Sequence, residues 1–444
     1  MNIPRHIFKA YDIRGLLAEV TPEIAEAVGF ALVEKTGAKR VVVGRDMRET
    51  SPELAVAAMR GITKAGAGVA DVGMCSTSMF NFAVSSVDDF DAGLMITASH
   101  NPKEYNGIKL AFSSGLPISG QSILELVEKE QVDSFEQGKI EEIGVLDEYL
   151  GKCIDLADAP DLSGTKIVVD YGNGMGSVSV RDFLSRLGVE SVELYPEPDA
   201  SFPNHEANPA KEETLADLKK AVLSEGADFG VALDGDADRI GFVDNEGQSL
   251  RGDQMLAVLA RHILKTKPGA TIISAPNQGW APMDAMRELG ANIVDCRIGR
   301  TNVINAMDKE GAALGGEVSS HFFYDEFNNL ESVDYTLALA LAVWKRSGEP
   351  FAELVRDLRS YVNSGEINTE VEDKEKVLKA LEEKYAPIAS IVNKLDGIRC
   401  EFDRDWWFIV RPSNTEPLIR LIVEAKSEEL MKERRDEVLE VIKS

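Results

Sequence analysis

Two short segments of this 444-residue chain carry the side chains best suited to chemistry, a serine turn and an aspartate cluster. The first, T-A-S-H-N-P at residues 97–102, places Ser99 between the apolar run 92–97 and the structure-breaking pair Asn101-Pro102. We therefore expect its hydroxyl on a tight turn at the carboxyl end of a strand, where α/β folds bind ligands. Taken alone, the turn is also explained by local hydrogen bonds, and it lacks the G-x-S-x-G pattern of serine hydrolases.

The aspartate cluster, D-G-D-A-D-R at residues 234–239, follows the apolar run 227–233. In extended backbone Asp234, Asp236 and Asp238 share one face, so we expect their carboxylates to converge on a cation, and oxygen ligands favour Mg²⁺. An EF-hand is excluded because its sixth and twelfth positions hold Arg239 and Asn245. A solvated acidic turn before a hairpin at 244–247 stays open, as does a haloacid-dehalogenase phosphatase with Asp234 as nucleophile.

Two later loops offer groups that bind sugars and phosphates. The loop G-G-E-V-S-S-H at 315–321 combines a carboxylate, hydroxyls and an imidazole, which can hydrogen-bond sugar hydroxyls. The segment R-P-S-N-T-E-P at 411–417, followed by Arg420, offers guanidinium groups, hydroxyls and turn amides suited to a phosphate. Each is also explained as a plain polar turn. The run G-N-G-M-G at 172–176 does not match the G-x-G-x-x-G dinucleotide fingerprint.

Charge and composition exclude several classes of protein. The chain has 48 Lys and Arg against 75 Asp and Glu, a net charge of −27, which argues against nucleic acid or an anionic membrane surface as a partner. The N-terminus shows no signal-peptide pattern, and the most apolar helical stretch, 335–344, is too short to span a bilayer. The four cysteines are far apart in the sequence and form no C-x-x-C pair, so we expect neither a zinc site nor a disulfide framework. We therefore expect a cytoplasmic protein.

The elements that must position these loops predict an α/β fold with a different C-terminal part. The segments 40–46, 167–174 and 272–279 each consist of a short apolar strand followed by a turn rich in Gly, Asp or Asn, and helical patterns follow at 52–65 and 281–289. This alternation predicts three similar α/β domains with mixed, mostly parallel sheets. The C-terminal part, helices at 371–384 and 427–443 around strands at 397–402, 406–410 and 418–424, predicts an α+β module. We expect domains at 1–150, 151–250, 251–365 and 366–444.

Together and in this order, the four loops resemble the signatures of the α-D-phosphohexomutase family, T-A-S-H-N-P, D-G-D-x-D-R, G-E-x-S-x-H and R-x-S-N-T-E-P. The run Y-D-I-R-G at 11–15 matches the family's opening. The resemblance covers most of the chain and implies four domains around a central cleft, each contributing one loop. It implies an enzyme that interconverts hexose 1-phosphate and hexose 6-phosphate through a phosphoserine and a reorienting hexose 1,6-bisphosphate, which in catalytic amount is also the activator.

Carried over residue by residue, the resemblance gives each loop a role. Ser99 becomes the phosphoserine and holds Mg²⁺ together with Asp234, Asp236 and Asp238. The groups implied to neutralise charge or move protons are Arg14, His100, Lys109, Arg239 and His321, of which Lys109 and His321 are the leading acid/base candidates. The groups implied to bind substrate are Glu317, Ser319 and His321 at the sugar and Arg411, Ser413, Asn414, Thr415 and Arg420 at the phosphate that is not reacting.

The sugar loop bears on the choice of substrate. In the family, the residue after its glutamate is typically Met in the dual phosphomannomutase/phosphoglucomutase branch and Gln in the phosphoglucosamine branch. Val318 is apolar like Met and His321 is kept, whereas Ser320 replaces the usual glycine. We expect mannose and/or glucose phosphates as small-molecule partners of a monomer or homodimer, with phosphoglucosamine mutase as the alternative. A phosphatase using Asp234 and a non-catalytic sugar-phosphate binding protein are more distant hypotheses.

Overall fold

The structure of the protein is a computed structural model that describes residues 3–86, 89–129, 131–132, 134, 137–413 and 418–443. The chain forms two compact units. The first comprises Met1–Arg251 with Ser319–Ala352, and the second comprises Gly252–Val318 with Glu353–Ser444.

The N-terminal part of the first unit is a mixed sheet with helices around it. Its strands follow the order β1-β5-β4-β2-β3-β7, with β6 on β5. Strands β2, β3, β4 and β7 run parallel, whereas β5 is antiparallel to β4 and β1. The elements are β1 (Ile13–Leu16), α1 (Pro22–Thr36), β2 (Arg40–Arg45), α2 (Ser51–Lys64), β3 (Gly68–Met74), α3 (Thr77–Ser86), β4 (Ala92–Ile96), β5 (Tyr105–Phe112), β6 (Pro117–Ile118), α4 (Gly120–Glu128), β7 (Ile140–Glu142) and α5 (Leu146–Ala157).

Helices α1 and α2 pack closely because each has a glycine that lies against the backbone of the other helix. A Cβ on Gly29 of α1 would collide with the carbonyl oxygen of Ala58, and one on Gly61 of α2 would collide with that of Glu26. Helix α1 begins at Pro22, and its last turn is closed by Gly37 at φ 68°. This close packing covers the sheet that carries the serine turn with a continuous apolar core.

The next part of the first unit is a second mixed sheet, ordered β12-β11-β10-β8-β9. Strands β10, β8 and β9 are parallel, and β11 returns antiparallel to β10. The central strand β10 is buried along its whole length. The elements are β8 (Lys166–Asp170), α6 (Val180–Arg186), β9 (Glu190–Leu194), α7 (Ala216–Glu225), β10 (Phe229–Leu233), β11 (Ile240–Asp244) and β12 (Ser249–Leu250).

The third part contributes to both units. In the second unit, β13 pairs in parallel with β14 and β15. In the first unit, β16 and β17 form an antiparallel pair that leads into α11. The elements are α8 (Gly252–Thr266), β13 (Thr271–Ser274), α9 (Trp280–Glu288), β14 (Asn292–Asp295), α10 (Arg300–Glu310), β15 (Leu314–Gly316), β16 (Phe322–Tyr324), β17 (Leu330–Glu331), α11 (Val333–Ser347) and α12 (Phe351–Leu354).

The C-terminal part of the second unit is an antiparallel sheet with β18-β23-β22-β21-β20 in order and β19 on β23. Its elements are β18 (Val362–Asn363), β19 (Ile367–Glu370), α13 (Lys374–Tyr385), β20 (Ile391–Asn393), β21 (Ile398–Phe402), β22 (Trp406–Pro412), β23 (Leu418–Ala425) and α14 (Glu428–Ile442). Strand β22 alternates by face, because Phe408 joins the core under α13 and α14 whereas Trp407 packs with Trp280 on the other side. The α+β module predicted for this part of the chain is confirmed.

The predicted mixed α/β fold with an α+β C-terminal part is confirmed, and most predicted strands and helices lie within a few residues of those observed. The serine turn follows β4 and the aspartate loop follows β10, each a buried parallel strand whose chain then returns antiparallel as β5 or β11. Both loops therefore lie at carboxyl ends of parallel strands, as predicted. Among the described residues, none of the helices has the length and apolar character needed to cross a membrane.

Candidate functional site

The serine turn holds Ser99 in a conformation that few non-glycine residues adopt. Ser99 has φ 51°, in the left-handed region, and is only 5% exposed. Its backbone N–H donates to the Thr97 hydroxyl over 3.0 Å, and the Asn101 N–H donates to the Ala98 carbonyl over 3.0 Å. A strained residue held by its own turn is typical of a functional position.

The aspartate cluster at residues 234–239, called the metal loop from here on, brings its three carboxylates together, as their spacing predicts. Asp234, Asp236 and Asp238 are each at most 4% exposed, and one carboxylate oxygen from each lies within 4.8 Å of the others. Asp234 Oδ1 accepts the backbone N–H groups of Asp238 and Arg239 at 3.0 and 3.1 Å. Asp236 Oδ1 is buried and has no hydrogen-bond partner. These oxygens are hard ligands facing one another, so the residues fit Mg²⁺.

Lys109 brings a positive charge to the aspartates from β5. Its Nζ lies 2.6 Å from Asp236 Oδ2 and 2.8 Å from Asp238 Oδ2. Burial alone would raise the pKa of Asp238, but the charges of Lys109 and His321 outweigh it and hold that pKa well below its usual range. Burial together with the two neighbouring carboxylates raises the pKa of Asp234 well above its usual range. The cluster therefore has one carboxyl whose ionisation depends on added positive charge.

Ser99 and the metal loop are in direct contact. Ser99 Oγ donates to Asp234 Oδ2 over 3.2 Å and lies 3.3 Å from His100 Nδ1. Gly235 permits this approach, because a Cβ there would lie 2.6 Å from the Ser99 carbonyl oxygen. The serine and the aspartates, 135 residues apart in the chain, thus form one site.

The start of α3 also holds the metal loop, which the sequence analysis missed. The Thr77 hydroxyl donates to Asp236 Oδ2 over 2.7 Å, and the Thr77 N–H donates to the Asp236 carbonyl over 2.8 Å. The Ser78 hydroxyl donates to the Ala237 carbonyl over 2.9 Å. The position of Thr77 just after β3, at a strand end like Ser99, was the available signal.

Four further predicted groups, Arg14, His100, Arg239 and His321, lie within or beside the serine turn and the metal loop. Arg14 donates to Asn101 Oδ1 over 2.8 Å. His321 Nε2 lies 3.0 Å from Arg239 Nε and 3.1 Å from Asp238 Oδ1, so it can accept from the first or donate to the second. Burial, followed by the charges of Arg239 and Arg14, lowers the pKa of His100 to about 3, which leaves that imidazole neutral at pH 7.

The sugar loop departs from the usual glycine at Ser320 without losing the glycine-like backbone. Ser320 has φ 68°, and its carbonyl accepts the Ile240 N–H over 3.1 Å in the first unit. In the second unit, Glu317 Oε1 accepts the Gly299 N–H over 2.9 Å and Glu317 is 6% exposed. Ser319, the first residue of this loop in the first unit, is half-buried.

The predicted phosphate loop begins beside a pair of arginines in the second unit. Arg411 and Arg420 are cross-strand partners on β22 and β23, and they lie 3.4 and 3.2 Å from the Glu366 carboxylate. Lys374, which the sequence analysis missed, donates to the carbonyl of the buried Ser413 over 2.8 Å. The remaining predicted ligands, Asn414 and Thr415, lie outside the described residues. Cations gathered at the start of this loop suit an anionic group.

Comparisons with known proteins match one family over most of the chain. Models of phosphoglucomutase/phosphomannomutase α/β/α domains I, II and III match residues 5–134, 147–247 and 251–361, and the C-terminal domain model matches 366–441. A phosphomannomutase of Escherichia coli K12 is 35% identical over 448 residues, 97% of each chain. A probable phosphoglucosamine mutase of Methanopyrus kandleri is also 35% identical, over 98% of this chain and 97% of its own. A solved phosphoglucomutase/phosphomannomutase family protein from Burkholderia thailandensis is 31% identical and superposes with TM-score 0.91, covering 100% of this chain and 98% of that one.

Proposed function

Because the chain belongs to the phosphoglucomutase/phosphomannomutase family and is a phosphohexomutase, we propose that it interconverts the 1- and 6-phosphates of mannose and/or glucose through phosphorylation of Ser99. The observation that carries the proposal is the 3.2 Å contact between Ser99 Oγ and Asp234 within the three converging carboxylates. A phosphate on that oxygen would add about −1.5 to −2 charges beside three acids, so the site is built for an added cation.

Mg²⁺ would be held by Asp234, Asp236, Asp238 and an oxygen on Ser99, and when bound it would supply positive charge that neutralises the phosphoryl oxygens. The buried, unpartnered Asp236 Oδ1 supports this assignment, because a buried carboxylate oxygen without a partner is costly. Lys109 shows that the same carboxylates attract a cation at short range.

The transfer itself exchanges one P–O bond for another. The bond between phosphorus and Ser99 Oγ breaks, a bond forms to a free hydroxyl oxygen of the bound hexose phosphate, and that hydroxyl's proton leaves to a base. The resulting hexose 1,6-bisphosphate reorients within the site so that its other phosphoryl group faces Ser99. That phosphoryl group is then transferred back to Ser99. We assign proton transfer to Lys109 and His321, and charge neutralisation to Arg14 and Arg239, with His100 orienting the serine hydroxyl. The same bisphosphate, supplied in catalytic amount, would phosphorylate the resting enzyme.

Reorientation requires one set of groups that can hold either phosphate. We propose that Arg411 and Arg420 hold the phosphate that is not reacting, together with Ser413, Asn414 and Thr415. The cross-strand pairing of the two arginines supports this role, because two neighbouring guanidinium groups can donate together to the oxygens of one phosphate. Glu317, Ser319 and His321 would bind the sugar hydroxyls. Val318 favours mannose and glucose, and the M. kandleri relative keeps glucosamine phosphate as the alternative substrate.

The phosphatase hypothesis fits the site less well. Both oxygens of Asp234 already accept hydrogen bonds, Oδ1 from two backbone N–H groups and Oδ2 from Ser99. A nucleophilic carboxylate must instead have an oxygen directed at the substrate. The cytoplasm remains our proposed location, which the four free, buried cysteines support.

Labelled bisphosphate tests the proposal directly. After incubation with glucose 1,6-bisphosphate carrying labelled phosphate, we expect the label on Ser99 by peptide mass spectrometry, and Ser99→Ala should show neither label nor turnover. Label on Asp234 would refute the assignment. Comparing kcat/KM for mannose 1-phosphate, glucose 1-phosphate and glucosamine 1-phosphate then identifies the substrate, and a preference for glucosamine 1-phosphate would overturn the proposed hexose.

Asp236→Asn tests the metal ligands. Because the substitution removes one of three converging charges, we expect kcat to fall about 100-fold and the Mg²⁺ concentration for half-maximal activity to rise. Asp155→Asn, on the exposed face of α5, is the matched control and should leave both unchanged. Wild-type metal dependence in Asp236→Asn would show that the cation binds elsewhere.

A further inference from the structure

The conformation of the serine turn depends on a side chain that belongs to none of the four loops. Arg48 lies between β2 and α2 and is 1% exposed. Its guanidinium group donates to four backbone carbonyls, three in the serine turn and one at the start of β5. Nη2 bonds the carbonyls of Ser99 and Asn101 at 2.9 and 2.5 Å, and Nη1 bonds those of Pro102 and Tyr105, both at 2.9 Å.

Arg48 is itself held in place by a buried carboxylate. Its Nε lies 3.2 Å from Asp46 Oδ2 in an ion pair whose two side chains are both 1% exposed. Asp46 Oδ1 accepts the Arg48 N–H over 2.9 Å and the Ser51 hydroxyl over 2.5 Å. The Asp46 N–H donates to the carbonyl of Ile96, the last residue of β4. The guanidinium group is therefore fixed relative to the strand that delivers Ser99.

An aromatic ring and the metal loop complete this surrounding. The Arg48 guanidinium carbon lies 5.6 Å from the centre of the Phe202 ring. The tip of the same ring would lie 3.3 Å from a Cβ on Gly235. The Phe202 ring therefore lies next to both the Arg48 guanidinium group and the metal loop.

A planar fork is the group that this geometry requires. Each Nη serves two carbonyls in different directions, which a guanidinium group with five N–H donors can do. A lysine would keep the charge but offers one nitrogen on a flexible stem, so it cannot bond all four carbonyls together. These four bonds direct the carbonyls toward the arginine, and the Ser99 backbone takes its left-handed conformation with them.

We propose that Arg48 is a positioning residue for phosphoryl transfer, which sets the direction of Ser99 Oγ toward Asp234 without touching substrate. The role rests on the proposed phosphorylation of Ser99. It predicts that loss of the fork slows the chemical step and leaves substrate binding largely unchanged, because the sugar and phosphate ligands lie on other segments. A misplacement of about 1 Å in such a site typically costs about 100-fold in rate.

Arg48→Lys tests the fork, and Arg40→Lys is the matched control. Arg40 lies on the adjacent strand β2, is one-third exposed, and pairs at the surface with Asp89 and Glu141. We measure the single-turnover rate of Ser99 phosphorylation by glucose 1,6-bisphosphate, kcat and KM, with circular dichroism to confirm folding. For folded Arg48→Lys we expect the phosphorylation rate and kcat to fall about 100-fold with KM within threefold of wild type, while Arg40→Lys stays wild type in all three.

A folded Arg48→Lys protein with a wild-type phosphorylation rate overturns the proposal, and so does a rise in KM with kcat unchanged. If Arg48→Lys does not fold, Ser51→Ala takes its place, because it removes the hydroxyl that anchors Asp46 and also accepts the Asn106 side-chain amide, and it leaves Arg48 itself in place. We expect it to slow Ser99 phosphorylation by about threefold to tenfold at constant KM, and an unchanged rate overturns the proposal. Failure of the wild type to be phosphorylated on Ser99 would instead refute the proposed function, and is recognised because it appears without any substitution.

Discussion

Asp334 at the start of α11 is a buried carboxyl whose ionisation should oppose folding. It is completely buried, and its Oδ2 accepts hydroxyl hydrogen bonds from Tyr149 and Ser179, both at 2.9 Å. Its Oδ1 has no hydrogen-bond partner. Burial raises the pKa of Asp334 from 3.8 to about 6, because the loss of water outweighs the hydrogen bonds that favour the charged form.

The sign and size of the effect follow from this shift. Between pH 4 and pH 6 the folded protein binds a proton at Asp334 more tightly than the unfolded chain does, so the free energy of unfolding falls as pH rises through this window. The stabilisation is complete below about pH 3.8 and is lost above about pH 6. A pKa shift from 3.8 to about 6 corresponds to about 3 kcal/mol.

Asp334→Asn should remove this pH dependence while keeping an acceptor for Tyr149 and Ser179. The measurement is the free energy of unfolding in urea at several pH values from 4 to 7.5 for both proteins. Because all other titrating groups are shared, the wild type minus variant difference isolates Asp334. We expect this difference to fall by about 2.5 kcal/mol across the range, because at pH 4 the unfolded carboxyl is already partly ionised. A difference that is independent of pH, or that rises with pH, would refute the reasoning, and Asp155→Asn controls for the loss of a surface carboxylate.

Two further predictions concern the first unit. Gly235→Ala should lower kcat about 100-fold, because its Cβ would lie 2.6 Å from the Ser99 carbonyl oxygen. The control is Gly151→Ala in α5, where an added Cβ meets nothing within 4 Å. This variant should keep full activity and gain about 0.5–1 kcal/mol of stability. His205 Nε2 lies 3.0 Å from Asp170 Oδ2, and that hydrogen bond raises the pKa of His205 above 6.5. Its stabilisation should be complete below pH 6.5 and lost as pH rises through the raised pKa, so the difference in unfolding free energy between wild type and His205→Gln should fall between pH 6 and pH 9.

Each of these predictions has an outcome that would contradict it. Wild-type activity in Gly235→Ala would mean that the serine turn and the metal loop tolerate separation. A loss of activity in Gly151→Ala would mean that glycine replacement acts through general destabilisation. An unchanged or rising difference for His205→Gln would mean that the imidazole is neutral when it contacts Asp170.

The order of strands and helices could be predicted because it depends on local pattern. Runs such as Phe229–Leu233 are apolar along their whole length, which indicates a strand buried on both faces, and the observed β10 is fully buried. The close approach of α1 and α2 through Gly29 and Gly61 could not be predicted, since either glycine alone is explained as a weak helix residue. The need for glycine at both positions becomes clear only when the two helices are packed against each other.

The site shows the same division between local and distant information. Asp234, Asp236 and Asp238 lie within five residues, so their convergence follows from the alternation of an extended chain. Arg48 and Thr77 escaped prediction because their partners lie 51 to 57 and 159 residues away, and neither is in a recognisable motif. Ser320 stands where glycine is usual in the family, yet its backbone adopts φ 68°, in the left-handed region that favours glycine, which only the structure could show.

The sequence by itself determined which chemical groups the protein brings to its reaction, because each functional loop is a contiguous run and the chemistry of a hydroxyl or carboxylate does not depend on distant residues. Only the tertiary structure decided how those groups act on one another. Lys109 meets Asp236 across 127 residues, and Ser99 meets Asp234 across 135. Charge, burial and hydrogen bonding act over a few ångströms of space rather than along the chain, so the pKa of each aspartate and the direction of the serine hydroxyl are set by folding.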